Sequence, residues 1–273
     1  MRDDKTLARI AALLRQAEGT DNEHEAETFM SAAQRLATAA AIDLAMARAH
    51  DPAAREKSVP VARQITIGEA GKRGLRTYVQ LFVAIARANE VTVDVAHNST
   101  FVLAYGFDTD IDNVEALYTS LLIQMVAASD AYLKSGAYKG ETAKRVVVRN
   151  NGWIRRRVVE KTQLSPITAR LNFQSAFAER VGSRLGQARD EARKDAERAE
   201  RPGGRSTALA LRNKELEVAD FYSSKSTARG SWRPARAEAG YSEAARRAGD
   251  KAGRRARLGE QSRFGAPRGA IER

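Results

Sequence analysis

The opening of the chain holds its strongest pattern, and that pattern restricts this part to a pair of amphipathic helices. Apolar side chains recur every three or four residues, first in residues 7–14 and again in residues 26–37, which places each set on one helix face. Gly19 can end the first helix, and the side-chain oxygens in residues 20–22 can cap the second. Because the connection is short, residues 5–44 are predicted to form an antiparallel αα-hairpin.

Several stretches of this hairpin match a known pattern. They are residues 10–20 (IAALLRQAEGT), 25–27 (EAE), 33–36 (AQRL) and 42–43 (ID). Together they resemble the N-terminal signature of the domain of unknown function 2786, which is found in bacterial and phage proteins. The resemblance covers the hairpin and implies no established activity, so no catalytic residue follows from it.

The charge of the chain constrains its partner. Lys and Arg number 46 against 34 Asp and Glu, a net charge of +12, and this excess favours a polyanion: nucleic acid first, an anionic membrane surface second. A high-GC genome also produces an Arg- and Ala-rich protein, so composition alone leaves nucleic-acid binding open. Residues 201–273 hold 17 Lys and Arg against 8 Asp and Glu, so +9 of the excess lies in the last quarter.

Three kinds of feature are absent from the sequence. There is no cysteine, which excludes disulfides, thiolate metal sites and a cysteine nucleophile. Residues 1–9 lack the apolar core of a secretory signal, and the most apolar run, residues 116–128, is too short to span a bilayer. We therefore expect a soluble protein without a membrane partner, cytoplasmic or carried in a phage particle.

Changes in composition divide the chain into four parts. They are an N-terminal helical hairpin (1–48), a linker rich in Pro and Gly (49–74), an α+β core ending in a long helix (75–201) and a basic Arg/Gly/Ala-rich C-terminal segment (202–273). A short strand is possible at residues 63–67. The predicted class is α+β and mainly helical, with an N-terminal αα-hairpin, a small antiparallel sheet with packed helices, and a basic C-terminal tail.

The first half of the core predicts a helix, a β-hairpin and a second helix. Residues 77–89 carry a strong apolar stripe of helical period, and residues 91–95 and 100–105 are two β-rich runs around a polar turn. Asp110 or Asp112 can cap the second helix. Because the predicted strands are few, either a further strand comes from elsewhere in the chain or the sheet stays small.

The basic stretch that follows has two interpretations. In the first, residues 145–149 and 153–159 are strands, and residues 150–152 (NNG) form a type I′ turn between them. In the second, a loop is followed by a helix that starts near Trp153.

The rest of the chain predicts mostly helices. Ser165 followed by Pro166 is a typical start for a long helix. Residues 207–211 are a possible strand, and Asn213 can cap a short helix after it. Residues 241–258 are predicted to be helical with an Ala/Gly face, whose glycines allow close packing on another helix or on a nucleic-acid backbone.

No convergent catalytic set is visible in the sequence. For an enzyme of unrecognised type, His97 with Asp94 would be the first suspects, although a turn is the simpler role for His97. Asp108, Asp110 and Asp112 alternate as in a calcium loop but lack its glycine and its final glutamate, so a helix-capping role is the better interpretation. We predict no catalytic residue, no metal site and no cofactor.

Two basic clusters, each containing a tryptophan, suit phosphate contacts and base stacking. The predicted nucleic-acid-binding residues of these clusters are Arg145, Arg149, Trp153, Arg155, Arg156, Arg157, Arg229, Trp232, Arg233, Arg246, Arg247, Arg254 and Arg255. The simpler alternatives are a solvated hairpin and cation–π contacts within the fold.

Three functions remain open from the sequence. The leading hypothesis is a non-enzymatic nucleic-acid-binding accessory protein, largely sequence-independent, with DNA and RNA undecided. The alternative is a phage or bacterial structural or assembly protein whose basic arm contacts a genome, RNA or an acidic protein partner. The third is an enzyme that uses the α+β core.

Overall fold

The computed structural model describes residues 2–19, 23–151, 154–200, 206–230, 232 and 240–256. Of the described residues, 66% are helical, which confirms the mainly helical α+β class. In chain order the elements are α1 (Arg2–Gly19), α2 (Glu23–His50), α3 (Pro52–Lys57), β1 (Val61–Thr66), α4 (Leu75–Ala88), β2 (Thr92–Val95), β3 (Phe101–Gly106), α5 (Asp108–Lys134), β4 (Thr142–Asn151), β5 (Ile154–Gln163), α6 (Pro166–Arg198), α7 (Thr207–Lys225) and α8 (Glu243–Arg254).

The predicted N-terminal hairpin is present as α1 packed against α2. Ile10 and Leu14 of α1 are at most 5% exposed, as are Met30, Ala33 and Ala37 of α2, so the two apolar stripes of the sequence face each other and the main core. The capping residues 20–22 lie outside the described residues. The helical period of the sequence therefore corresponds directly to the buried faces.

The extra strand that the sheet requires comes from the Pro- and Gly-rich stretch. β1 pairs antiparallel with β3, which also pairs with β2, so the order of the sheet is β1–β3–β2. The strand predicted at residues 63–67 thus lies at 61–66, and residues 49–74 contribute to the sheet as well as connecting two parts. Val102 and Ala104 of the central strand are fully buried in the main core.

The start of α5 corrects one prediction. Neither Asp110 nor Asp112 caps the helix, because it begins at Asp108 and Phe107 occupies the N-cap position. Asp110 is in the first turn, where the helix dipole favours a carboxylate. Asp108 and Asp112 instead bind the Arg63 guanidinium at 2.7 and 2.6 Å. The alternating aspartates therefore join α5 to its neighbours.

Of the two interpretations of the basic stretch, the hairpin is correct. β4 and β5 pair antiparallel over ten residues each, with Val146 opposite Val159 and Asn151 opposite Ile154. Asn150 and Asn151 therefore belong to β4 and do not form the turn. The turn is therefore predicted too early in the sequence, at residues 150–152. The connecting residues 152–153 lie outside the described residues.

The long helix α6 is the element on which most of the other helices pack, and it begins as predicted. Ser165 is the N-cap, its Oγ accepts a hydrogen bond from the Thr168 N–H at 3.2 Å, and Pro166 occupies the first turn. Phe177 and Leu185 lie in the main core, where α2, α4 and α5 meet α6. Past the core, the helix carries charged residues, as its sequence indicates.

The strand predicted at residues 207–211 is wrong. These residues form the first turns of α7, whose N-cap is Ser206 and not Asn213. The buried positions of α7, at helical intervals, are Thr207, Ala210, Leu211, Lys214 and Val218. A five-residue apolar run cannot distinguish a strand from a buried helix segment, and here contact with α2 decides for the helix.

The predicted C-terminal helix is α8, and the structure places it on α6. A Cβ on Gly249 would lie 2.0 Å from the Phe173 carbonyl oxygen, and one on Gly253 would lie 3.0 Å from that of Phe177. The two glycines are therefore used for close helix–helix packing. Residues 257–273 lie outside the described residues.

Candidate nucleic-acid interface

The candidate interface is the two-stranded ribbon formed by β4 and β5. Its base is fixed to the body: Lys144 and Tyr241 exchange two backbone hydrogen bonds of 2.8 Å, and Ala143 packs in a small core with Leu164 and Ala245. Beyond this base the ribbon is open to solvent, since Val146 is 54% exposed. An exposed two-stranded ribbon gains little stability from its own pairing.

The strand register sorts the ribbon residues onto two faces. On one face Lys144 lies opposite Lys161, Val146 opposite Val159, and Val148 opposite Arg157. All of these side chains are exposed. We call this surface the outer face, and its described members are Thr142, Lys144, Val146, Val148, Arg157, Val159, Lys161 and Gln163.

The opposite surface, which we call the inner face, is different in burial and in charge. It holds Ala143, which is 2% exposed, and the half-buried Val147. It also contains a carboxylate, because Glu160 lies opposite Arg145. Arg156 completes its described cations and is exposed. The outer face is thus the more accessible and the more cationic of the two.

Three cations of the outer face, Lys144, Arg157 and Lys161, lack an acidic partner among the described residues. Within the described part of the chain, no carboxylate lies within ion-pairing distance of Lys144, Arg157 or Lys161. Three positive charges on one exposed surface repel each other, so an approaching polyanion is favoured there.

Some predicted residues lie where the structure does not describe their side chains. The backbones of Arg149 and Arg155 lie in β4 and β5. Trp153 and Arg233 lie outside the described residues.

The predicted arginines of α8 differ from those of the ribbon because acidic groups surround them. Arg246 pairs with Glu179 of α6 and lies over the Tyr241 ring at 5.5 Å. Arg254 pairs with Asp250 at 2.9 Å. The remaining two predicted residues are exposed: Arg247, which lies 3.4 Å from the Glu243 carboxylate, and Arg255. These carboxylates neutralise much of the charge that the sequence assigned to phosphate binding.

The second tryptophan cluster is only partly a surface feature. Trp232 is half-buried and packs against the main core, so part of its ring is unavailable for base stacking. Arg229 is exposed. Packing against the core therefore accounts for part of this cluster.

The pair suspected of catalysis is not brought together. Asp94 accepts hydrogen bonds from the hydroxyls of Tyr105 at 3.0 Å, Tyr222 at 2.8 Å and Ser226 at 2.6 Å. Burial, reinforced by Asp94, raises the pKa of Tyr105 to about 12. Among the described residues, none of the hydrogen bonds of Asp94 involves His97, which is exposed in the turn after β2. Asp94 joins the end of α7 to the sheet.

A buried ionic network was missed by the sequence reading. The Lys214 ammonium on α7, 1% exposed, lies 2.6 Å from the Asp110 carboxylate and 3.3 Å from that of Glu90. Arg193 of α6 also pairs with Glu90 and, at 2.9 Å, with Glu215. The only sequence signal was that Lys214 follows Ala210 and Leu211 at helical spacing on an otherwise apolar face.

The network favours the charged forms of Lys214 and Glu90. Burial alone would lower the pKa of Lys214, but the Asp110 and Glu90 carboxylates outweigh it and raise that pKa. Burial would raise the pKa of Glu90, but Lys214 and Arg193 outweigh it, so that pKa falls below its ordinary value. Burial raises the pKa of Asp110, so this carboxylate depends on Lys214 for its charge. These buried ion pairs therefore join α5, α6 and α7 to one another.

A cleft of about 340 Å³ lies beside this network, between α2, α3 and α7. The charged side chains along it neutralise one another, since Glu217 pairs with both Arg48 and Arg55. Arg48 also lies 4.5 Å from the centre of the Phe107 ring. These ion pairs hold α7 against the N-terminal helical hairpin. Among the described residues of the cleft, they do not bring a nucleophile together with a base.

The polar residues of the hairpin signature are structural contacts. Gln34 is fully buried and donates to the Asn89 side-chain oxygen at 3.1 Å, while Asn89 donates to the Ile85 carbonyl at 2.9 Å. Arg35 pairs with Glu191 and Asp195 of α6. The signature therefore encodes how the hairpin packs on α4 and α6.

Gln34→Ala is expected to lower the free energy of unfolding by about 2 kcal/mol, because it leaves the buried Asn89 amide short of a partner. Chemical denaturation of the purified variant measures this. A Gln34→Ala/Asn89→Ala double variant should cost less than the sum of the single changes. Simple additivity would show that the two amides do not interact.

The described residues contain no group of three or more His, Cys, Asp or Glu side chains placed to hold a metal ion. None of the described helices combines the length and the apolar character that crossing a membrane requires.

Comparison with known proteins addresses the hairpin alone. Residues 5–44, which form α1 and most of α2, match the family described as protein of unknown function (DUF2786). Neither the curated proteins nor the solved structures give a significant match to the chain. The similarity to the DUF2786 family is therefore confirmed for the N-terminal hairpin, residues 5–44.

Proposed function

We propose that the protein is a non-enzymatic nucleic-acid-binding accessory protein whose principal contact surface is the outer face of the ribbon. The observation that carries this proposal is the set of exposed cations on that face, Lys144, Arg157 and Lys161, without a carboxylate partner among the described residues. Lys and Arg in such a setting bind phosphates through charge, with little dependence on sequence.

The ribbon supports this function better than the C-terminal helix does. The α8 arginines are already opposed by Glu179, Asp250 and Glu243, so a polyanion would compete with those carboxylates. On the outer face no such competition arises within the described residues. We assign the basic C-terminal segment a supporting role, through Arg229 and the positive charge of residues 257–273.

A second candidate function has its own observation. Val146, Val148 and Val159 are each more than half exposed, and exposed apolar side chains in a row are typical of surfaces that contact other proteins. In that case the protein would be a phage or bacterial assembly protein, and the ribbon would be the basic arm that contacts a genome, RNA or an acidic partner. Cytoplasmic location or carriage in a phage particle fits either function.

The proposed function is tested by neutralising the outer face. The triple variant Lys144→Gln/Arg157→Gln/Lys161→Gln is expected to bind duplex nucleic acid roughly 10- to 100-fold more weakly at moderate salt. Its plot of log K against log salt concentration should be shallower by roughly 2.7, because three phosphate contacts are lost. Fluorescence anisotropy with nuclease-treated protein at several salt concentrations measures both quantities.

The matched control removes the same charge elsewhere. Lys57, Lys72 and Arg198 are exposed residues outside the ribbon, and their triple change to Gln should leave the slope of the salt dependence unchanged. An equal loss in both variants would show that net charge alone matters. No salt-dependent binding by the unaltered protein would rule out the proposed function and favour the assembly function.

A further inference from the structure

We infer that the outer face of the ribbon binds in the major groove of duplex DNA, in preference to duplex RNA and to single strands. This inference rests on the proposed function and names its partner. It is carried by three features of the ribbon: its dimensions, the order of residues along the outer face, and the lack of aromatic side chains among the described residues of that face.

The dimensions of the ribbon suit B-form DNA. Each strand is ten residues long. At roughly 3.3 Å per residue this is about 33 Å, close to one turn of the duplex. The major groove of B-DNA, about 12 Å wide, admits a two-stranded ribbon. The major groove of an A-form RNA duplex is deep and narrow and does not admit one, so size alone favours DNA among duplexes.

The order of residues along the outer face suits the chemistry of that groove. After the first row, Thr142 with Gln163, come Lys144 with Lys161, then Val146 with Val159, and then Val148 with Arg157. Cations therefore lie on both sides of an apolar centre. In the major groove the phosphates border the base edges, and the apolar group on those edges is the thymine methyl. Lysine and arginine before and after the valine row along the ribbon supply charge for the phosphates, and the valines supply an apolar contact for the thymine methyl.

Two alternative partners fit the outer face less well. Single-strand binding relies on aromatic side chains that stack on unpaired bases, and no described residue of the outer face is aromatic. A second copy of this chain would bring the Lys144, Arg157 and Lys161 charges of two outer faces together, and like charges repel. A partner with closely spaced negative charges and apolar groups between them avoids both difficulties.

The inner face supplies an internal comparison. Val147 and Val158 lie opposite each other there, as Val146 and Val159 do on the outer face. The two pairs have the same composition and adjacent positions, and the inner pair is the more buried. Replacing either pair by alanine removes the same atoms, so a difference in DNA binding between the two variants reports which face is used.

The experiment compares four ligands of equal length and sequence at matched salt: a DNA duplex, the same duplex with uracil in place of thymine, an RNA duplex and single-stranded DNA. We expect the full-length protein to bind the thymine duplex roughly tenfold more tightly than the RNA duplex. Loss of the thymine methyl should weaken binding severalfold. Val146→Ala/Val159→Ala should abolish the thymine–uracil difference, whereas Val147→Ala/Val158→Ala should retain it. Dimethyl sulfate should be excluded from guanine N7, in the major groove, and not from adenine N3.

The outcomes separate the inference from the function on which it rests. Equal or tighter binding to RNA duplex or single strands, protection of adenine N3, or an unchanged affinity for the uracil duplex would each overturn the major-groove inference alone. In all three cases salt-dependent binding would persist and the proposed function would stand. Absence of salt-dependent binding to all four ligands would overturn both.

Discussion

Lys214→Met is expected to lower the free energy of unfolding by about 3–5 kcal/mol, the cost of removing one partner from a buried ion pair. The ammonium is 1% exposed and lies between the Asp110 and Glu90 carboxylates, which are also buried. Without Lys214, both carboxylates are left in a low-dielectric interior, and only Glu90 keeps a cationic partner, in Arg193. Equilibrium denaturation at pH 7 measures the loss.

The loss should depend on pH in a defined direction. In the variant, burial without Lys214 raises the folded-state pKa of Asp110 further above its unfolded value, so the folded state binds more protons and stability falls as pH rises through this range. In the unaltered protein the pKa of Glu90 is lowered, so its contribution to stability is present above the unfolded pKa and is lost as pH falls. Both effects make the difference between the two proteins smaller at pH 4 than at pH 8.

Two further variants control this experiment. Lys72→Met removes a lysine that is 68% exposed and should change stability by less than about 0.5 kcal/mol. Asp110→Asn in the Lys214→Met background removes the carboxylate charge that Lys214 no longer balances. This second change should restore part of the lost stability. A Lys214→Met protein as stable as the original at pH 8 would show that the network contributes nothing to the fold.

Gly249→Ala is expected to destabilise the protein by about 3 kcal/mol, at the upper end of overpacking effects. The new Cβ would lie 2.0 Å from the Phe173 carbonyl oxygen, and a backbone atom inside α6 cannot move aside. α8 must therefore shift away from α6. The shift would cost the Arg180–Asp250 ion pair of 2.6 Å and the burial of Ala245. Thermal denaturation measures the loss, and amide exchange in α8 locates it.

The control is Gly186, a glycine of α6, the helix on which α8 packs. A Cβ on Gly186 of α6 would meet nothing within 4 Å. Gly186→Ala should therefore stabilise the protein by about 0.5–1 kcal/mol through helix propensity alone. If Gly249→Ala also stabilises the protein, α8 does not pack on α6 through its glycines.

The position of α8 also affects the candidate interface. Asn172 of α6 donates to the Gly240 carbonyl at 2.9 Å and accepts from the Ser242 N–H at 3.1 Å, next to the Tyr241 bridge to Lys144. The base of the ribbon is thus held by the same segment that begins α8. Displacing α8 should leave the ribbon less well oriented, so a stability defect there would also weaken nucleic-acid binding.

Much of the fold follows from local patterns in the sequence. The helical period of residues 7–14 and 26–37 identifies the two faces that pack together as α1 and α2. Ser165 and Pro166 mark the start of α6, and two short β-rich runs around a polar turn mark β2 and β3. These signals are readable because each depends on residues within a few positions of one another.

The wrong predictions concern residues whose structure or ion pairing depends on residues far away in the sequence. Residues 207–211 look like a strand in isolation, but burial against α2 makes them helical. Asp110 looks like a helix cap, but the ammonium of Lys214, more than a hundred residues later, uses it as an ion-pair partner. Arg246 looks like a phosphate ligand until α6 brings Glu179 beside it.

The sequence by itself determined the α+β class, the N-terminal hairpin, the main helices and the basic character of the β4–β5 stretch. Only the tertiary structure decided which cations are exposed and available to a polyanion. Lys144, Arg157 and Lys161 lie together on an open face, whereas the α8 arginines lie beside carboxylates. The physical reason is that periodicity and capping act over a few residues. Charge pairing and burial depend on groups that only folding brings together.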